Sequence, residues 1–343
     1  MNQKKVAILD TTLRDGMHAM AHQFSPGQMA LIAKALDDAN VGTIELGHGD
    51  GLAGSSLQYG IAAFTDNDYI EAVSKVIQNS RLAVLLLPGI GTKVDLEMAK
   101  EHGAEVARMA THCTEADIAE QHIQLAIELG MIPMGALMMS HMVPADKLLE
   151  QAKLMEGYGA ETVYVMDSAG YMLPDDVRTK VSTLKSNLRI KVGFHAHNNL
   201  SLGIANTLAA IECGADSVDG CLKGLGAGAG NAQIEILIGV LNRLGIESGV
   251  DFYKIMDAAQ EVLEPLMLRP QTIDNDSIMI GYSGVYSSFL LHARRAAERF
   301  NVDIRDILVE LGRRKTVGGQ EDMIIDVAIE ISTSLMNSPN QSK

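Results

Sequence analysis

His195 and His197 lie two residues apart in the run Lys191–Asn199, KVGFHAHNN. In an extended segment, side chains at i and i+2 point to one face, so both imidazoles can enter the same cavity. Two neutral imidazoles and one carboxylate make a facial set that leaves positions open for water or substrate, as a catalytic divalent metal demands. The carboxylate has to end another strand, and both Asp15 and Asp167 qualify. Asp167 has a competing role in orienting its loop or capping the helix that starts at Pro174. Arg14 and His18 share the segment of Asp15. A guanidinium beside a metal stabilises an oxyanion or an enolate, or else it pairs with an acid such as Glu45. Imidazole is the commonest general base in enzymes, and His18 is placed for that work. His48 and Asp50 follow a second apolar run, and Ser168 directly follows Asp167. His22, His102, His122 and His141 lack such a setting and are expected at the surface. The run GLGAGAGN, Gly224–Asn231, matches a dinucleotide fingerprint only superficially, because it does not open a fresh βαβ unit. A close-packed turn with amides facing the cavity is the better reading.

These residues need elements to hold them. Eight short apolar runs recur over the first 220 residues: Val6–Asp10, Thr43–Gly47, Leu82–Leu87, Glu105–Ala110, Met131–Met138, Thr162–Asp167, Lys191–Ala196 and Ser217–Leu222. Near-continuous Val, Ile, Leu and Met suit strands covered on both faces. Amphipathic stretches follow them, among them Gln28–Asn40, Glu115–Leu129, Pro174–Asn187 and Asn231–Leu244. Ser25-Pro26 reads as a helix entry, and Gly103, Gly130, Gly159, Gly214 and Gly245 read as exits. Eight βα units predict an α/β fold, a (β/α)8 TIM barrel over residues 1–265; an open doubly wound sheet is the competing architecture. In such a barrel, chemistry sits where the strands end, and that is where the histidine pair, Arg14 and Asp15 fall. Residues 266–343 form a small C-terminal helical domain. There Leu266–Ile280 is broken by Pro270 and by Asn, Asp and Ser, while Val285–Phe300, Ile304–Leu311 and Asp322–Leu335 read as helices. A frayed tail is expected at Asn337–Lys343.

The chain of 343 residues carries a formal net charge of −15, which disfavours nucleic acid and anionic membrane surfaces as partners. Apolar residues at 47% and charged residues at 21% are globular proportions. With 19 Met and no Trp, the core is aliphatic and thioether-rich. Three cysteines without CxxC spacing suggest neither a disulfide framework nor structural zinc. No apolar run reaches the length of a membrane span, and the first residues do not read as a signal peptide, so a cytoplasmic protein is expected.

Leu9–Gly16 (LDTTLRDG), together with His195–Asn198 and the glycine run ending in Asn231, resembles the metal-dependent pyruvate aldolases and Claisen-type enzymes of the hydroxymethylglutaryl-CoA lyase-like barrel superfamily. Asp15–His18 (DGMH) departs from the Asp-Gly-Glu-Gln form of the synthases in that group. Glu45–Gly51 (ELGHGDG), Leu86–Gly91 (LLPGIG) and Gly281–Phe289 (GYSGVYSSF) are similar to the 4-hydroxy-2-oxovalerate aldolases in particular. The resemblance implies a lyase that splits 4-hydroxy-2-oxopentanoate into pyruvate and acetaldehyde during breakdown of aromatic compounds. It implies a Mn²⁺ site (Co²⁺ or another divalent ion being possible) made by Asp15, His195 and His197. Arg14 would stabilise the enolate, His18 would be the base, and Ser168 and Tyr286 would help bind substrate. The implied partner is an acylating acetaldehyde dehydrogenase, docked on the C-terminal helices in a hetero-oligomer of dimeric arrangement. Leu85 and Leu87, at the end of the third apolar run, are placed either to shape the pocket that selects the substrate or to pack the core. Three alternatives stay open: a Schiff-base aldolase using Lys223, an acyl-CoA-dependent 2-oxo acid synthase, and a non-catalytic scaffold barrel.

Overall fold

The computed structural model describes residues 5–337. Eight parallel strands, β1 (Ala7–Leu13), β2 (Thr43–Leu46), β3 (Arg81–Leu86), β4 (Val106–His112), β5 (Ile132–Met138), β6 (Thr162–Asp167), β7 (Lys191–Ala196) and β8 (Ser217–Gly220), pair in chain order. Ala7–Asp10 of β1 pair with Ser217–Gly220 of β8 and close the barrel. The helices between and after them are α1 (Pro26–Asp38), α2 (Asp66–Ser74), α3 (Lys93–Glu101), α4 (Glu120–Glu128), α5 (Ala145–Tyr158), α6 (Pro174–Asn187), α7 (Gly203–Glu212) and α8 (Ile234–Leu244). Their ends follow local chemistry. Ser25 Oγ accepts from the Gln28 amide at 3.2 Å while Gln28 returns the bond to the Ser25 amide at 2.8 Å, with Pro26 at the first helical position. Gly159 and Gly245 end α5 and α8 in the left-handed region, which costs a residue without Cβ little.

Alternation along the strands decides what enters the lumen. Ile44, Leu46, Ala107, Met109, Val192, Phe194 and Val218 belong to the main core between strands and helices. The intervening Glu45, Arg108, Gly193, His195 and Asp219 therefore point to the barrel axis. Leu9, Leu85, Ala110, Ala136, Tyr164 and Met166 form a small apolar cluster of their own there. A Cβ at Gly193 would lie 2.4 Å from the Tyr164 ring, so this strand position has to be glycine for the tyrosine to stay where it is. Gly193→Ala is expected to cost about 1–3 kcal/mol by overpacking, read as a lower urea midpoint. An unchanged midpoint would show that the ring moves aside freely.

After α8, a short helix α9 (Phe252–Asp257) runs on through wider turns to Leu263. Helices α10 (Asn275–Ser283), α11 (Leu290–Phe300), α12 (Ile304–Arg314) and α13 (Asp322–Asn337) build a second core around Ile280, Val285, Phe289, Leu308 and Leu311. Two expectations need correction here. The stretch read as broken starts a helix, because Asp274 accepts from the Ser277 amide at 2.9 Å and caps α10. The helix expected from Val285 begins only at Leu290, after a 3₁₀ turn at Ser287–Phe289. Similarly, Glu115–Leu129 divides into a 3₁₀ turn, Ala116–Ala119, and α4. Of the expected tail, residues 338–343 lie outside the described residues. Among the described residues, no helix is long and apolar enough to cross a membrane.

Candidate active site and metal centre

Strand β1 ends in Leu13, and the chain turns at once into a single helical turn, Gly16–Ala19. This places Arg14, Asp15 and His18 at the mouth of the barrel. Strand β7 delivers His195 there and, one residue past its end, His197. Asp15, His195 and His197 each offer a ligand atom, and these atoms lie within 4.8 Å of one another with all three residues buried. Asp15 Oδ2 is 3.7 Å from His195 Nε2 and 3.8 Å from His197 Nε2. His195 Nδ1 donates to Asp219 Oδ2 at 3.0 Å, which leaves a lone pair on Nε2, a buried atom with no hydrogen-bond partner. A buried, unpartnered imidazole nitrogen facing a carboxylate, with its far nitrogen fixed by a second acid, is the arrangement a divalent metal ligand requires.

Charge supports the same reading. Arg14 Nε meets Glu45 Oε1 at 2.6 Å, and its Nη1 meets Asp15 Oδ2 at 2.9 Å. Arg108 pairs with Glu45 and Asp219. Two guanidinium groups face three carboxylates in a space closed to water, which leaves one net negative charge for a cation to reverse. Burial alone would raise the Asp15 carboxyl, yet Arg14 and the two imidazoles outweigh it and hold the group well below the usual carboxylate range. Burial pushes His197 down to about 3, so it is a neutral donor at ordinary pH. Arg14 Nη2 is buried and has no partner, which makes it a donor in reserve for an oxygen of the substrate.

The remaining candidates divide. Asp167, the rival third ligand, accepts from the amides of Tyr171 (2.9 Å) and Met172 (3.2 Å), so it organises the loop before α6. Ser168 Oγ accepts from the Met139 amide at 3.0 Å, and its own proton remains to be given. Tyr286 is partly buried and lines a cavity of about 290 Å³ with Asp50, Leu87, Met138 and Glu321. His18 lines an adjoining cavity of about 220 Å³ that shares Asp50, Tyr59 and Glu321 with the first. Gln58 in the loop after β2 donates to Glu321 at 2.6 Å, joining barrel and C-terminal core across these cavities. The amide of Ala227 in the glycine run donates to Asp15 Oδ1 at 2.9 Å. Lys223 is paired with Glu264 at 2.7 Å and lines a separate cavity with Met267 and Pro270, away from the triad. His22 corrects its expected surface position. It is buried and stacked on His48 at 3.8 Å, beneath the loop carrying Gly60, because the ring fills space that a Cβ at Gly60 would contest.

The HMGL-like family matches residues 5–262, and the DmpG-like communication domain matches residues 271–333. The 4-hydroxy-2-oxovalerate aldolase of Carboxydothermus hydrogenoformans is 65% identical over 329 residues, covering 96% of this chain and 98% of that protein. The 4-hydroxy-2-oxovalerate aldolase of Pelotomaculum thermopropionicum is 63% identical, with 96% of each chain covered. The chain belongs to the 4-hydroxy-2-oxovalerate aldolase family. Among solved structures, the carboxyl transferase domain of Rhizobium etli pyruvate carboxylase superposes with a TM-score of 0.82 at 17% identity. It covers 97% of this chain and 61% of that one, a likeness of fold.

A 4-hydroxy-2-oxovalerate aldolase is a metal-dependent carbon–carbon lyase, and this member has a donor set suited to a divalent ion. Sequence reasoning did not reach Arg108 or Asp219. Each stands among apolar neighbours within its strand, and their acid or cationic partners lie on other strands. The one usable signal was parity: both share the lumen-facing register of their strands with the small or polar residues around them.

Proposed function

We propose that this chain cleaves 4-hydroxy-2-oxopentanoate between C3 and C4, releasing acetaldehyde and pyruvate. The observation that carries the reading is the convergence of an unpartnered Arg14 Nη2 and an unpartnered His195 Nε2 beside Asp15 and His197. A divalent cation, which we assign as Mn²⁺ with Co²⁺ as an acceptable substitute, would be held by Asp15, His195 and His197 and would supply Lewis acidity toward the 2-oxo and carboxylate oxygens. His18 takes the proton of the C4 hydroxyl. The C4–O electrons form the aldehyde carbonyl, the C3–C4 bond breaks, and its pair moves to give an enolate with charge on the C2 oxygen. Arg14 Nη2 donates to that oxygen as the charge develops. Protonation at C3 then completes pyruvate. Ser168 and Tyr286 hold the substrate from the β6 and C-terminal sides, and the cavity lined by Leu87 and Met138 takes the aldehyde end.

The communication domain match supports an acylating acetaldehyde dehydrogenase as partner, which would receive the aldehyde from a hetero-oligomer of dimeric arrangement. The deciding assay measures pyruvate and aldehyde release from a series of 4-hydroxy-2-oxo acids, with and without chelator. Equal amounts of both products, abolished by chelator, are expected. Condensation with acetyl-CoA and no aldehyde release would favour a synthase, no turnover with Mn²⁺ would favour a scaffold, and borohydride trapping would favour Lys223.

His18→Ala is expected to lower kcat about 10²-fold, the low end for a general base, because His18 is only partly buried and water or added imidazole can reach its place. Partial rescue by imidazole in steady-state assays checks the role. A kcat equal to that of the unmodified enzyme would remove His18 from it.

A further inference from the structure

We infer that Arg108 is a positioning residue, locking the His195 ring and the Arg14 guanidinium into one set through Asp219 and Glu45. The inference rests on the metal-site reading above. Arg108 springs from the middle of β4 and is fully buried in the barrel lumen, where layers of branched aliphatic side chains are the usual filling. Burying a charge costs several kcal/mol even after relaxation, and apolar packing of the same volume is often the more stable solution. Stability alone therefore gives no reason for an arginine here.

Its hydrogen bonds give one. Arg108 Nε and Nη2 hold both Glu45 oxygens, Oε2 at 2.7 Å and Oε1 at 2.9 Å, while Nη1 holds Asp219 Oδ2 at 2.6 Å. The same Glu45 Oε1 accepts from Arg14 Nε, and the same Asp219 Oδ2 accepts from His195 Nδ1. One planar fork thus reaches the proposed enolate donor and a proposed metal ligand through a single shared oxygen on each side. Arg14 to Asp15 at 2.9 Å and Asp15 to His195 at 3.7 Å close a six-residue ring. The guanidinium carbon rests 4.8 Å from the centre of the Tyr164 ring, and that ring is pinned by its hydroxyl, which donates to Ser217 Oγ at 2.7 Å. Glu45, Arg108, Tyr164 and Asp219 come from β2, β4, β6 and β8, so the fork is braced by every second strand of the barrel. Lysine keeps the charge but not the planar bridge.

The test uses the full-length chain, stripped of metal and titrated with Mn²⁺ alone, the free ion being followed by electron paramagnetic resonance. Arg108→Lys is expected to weaken Mn²⁺ binding about 10–100-fold, the usual effect of losing support behind a ligand. At saturating Mn²⁺ its kcat should fall at least about tenfold with KM changed less than about twofold, because Arg14 is displaced where charge develops only in the transition state. Asp219→Asn keeps one acceptor oxygen but removes its charge, weakening the same link from its far end, and serves if the lysine variant does not fold; its Mn²⁺ affinity should fall over the same range. Variants with the parent's circular dichroism, Mn²⁺ affinity and kcat would overturn the inference alone. Failure of the unmodified chain to bind Mn²⁺ would overturn the metal reading and this inference with it.

Discussion

Arg14→Ala should lose about 10³-fold in kcat, the upper end of the effect of deleting one preorganised donor. The upper end applies because the side chain is buried, so no water takes over the bond that Nη2 offers to the developing enolate. The loss should appear in kcat and kcat/KM alike, since the interaction strengthens as charge forms. The variant also leaves Glu45 and Asp15 without a cation each had at hydrogen-bonding distance, so some stability goes with it. Arg14→Lys separates the two effects: it restores a positive charge and part of the stability but not the directed Nη2 donor. Steady-state release of pyruvate, beside a urea titration of each variant, makes the comparison. Turnover by Arg14→Ala within tenfold of the parent enzyme would show that the enolate is stabilised elsewhere.

Removing the divalent ion should have a larger effect still. With Arg14 and Arg108 facing Asp15, Glu45 and Asp219, the metal-free site is net negative and repels an anionic keto acid instead of gathering it. Chelation is therefore expected to lower pyruvate release by more than about 10³-fold, with recovery on adding Mn²⁺ in excess. Asp15→Asn should reproduce the loss without recovery at the same Mn²⁺ concentration, since the amide preserves shape and removes the anionic ligand. Undiminished turnover after exhaustive chelation would contradict the metal assignment.

The eightfold βα rhythm was legible in the sequence because buried parallel strands are nearly continuous apolar runs bounded by helix caps, and Lys191–Ala196 and Thr162–Asp167 were readable to the residue. The histidine pair was legible because both partners lie in one extended run, His195 on β7 and His197 one residue past its end, where spacing alone reveals the shared face. In the sequence Asp274 reads as a breaker because a helix cap and a loop residue have the same composition, and only the bond to Ser277 separates them. His22 reads as a surface residue in the sequence because its burial depends on a loop some forty residues further on, packed over it at Gly60. Of the lumenal charges, Glu45 was legible as a partner for Arg14, whereas Arg108 and Asp219 stayed hidden for a related reason: they make sense only together with Glu45, and no local window contains two of the three.

The seam between the first strand and the eighth ties the geometry of the site to the closure of the barrel. Asp15 leaves the ribosome early and the imidazoles much later, yet the opening strand acquires its second neighbour only when Ser217–Gly220 arrive to lie against it. Closing a loop of that span is entropically costly and is rewarded only once the final contacts form. A chain ending just short of that seam would hold Asp15, His195 and His197 but lack the second neighbour that fixes the strand leading into Asp15.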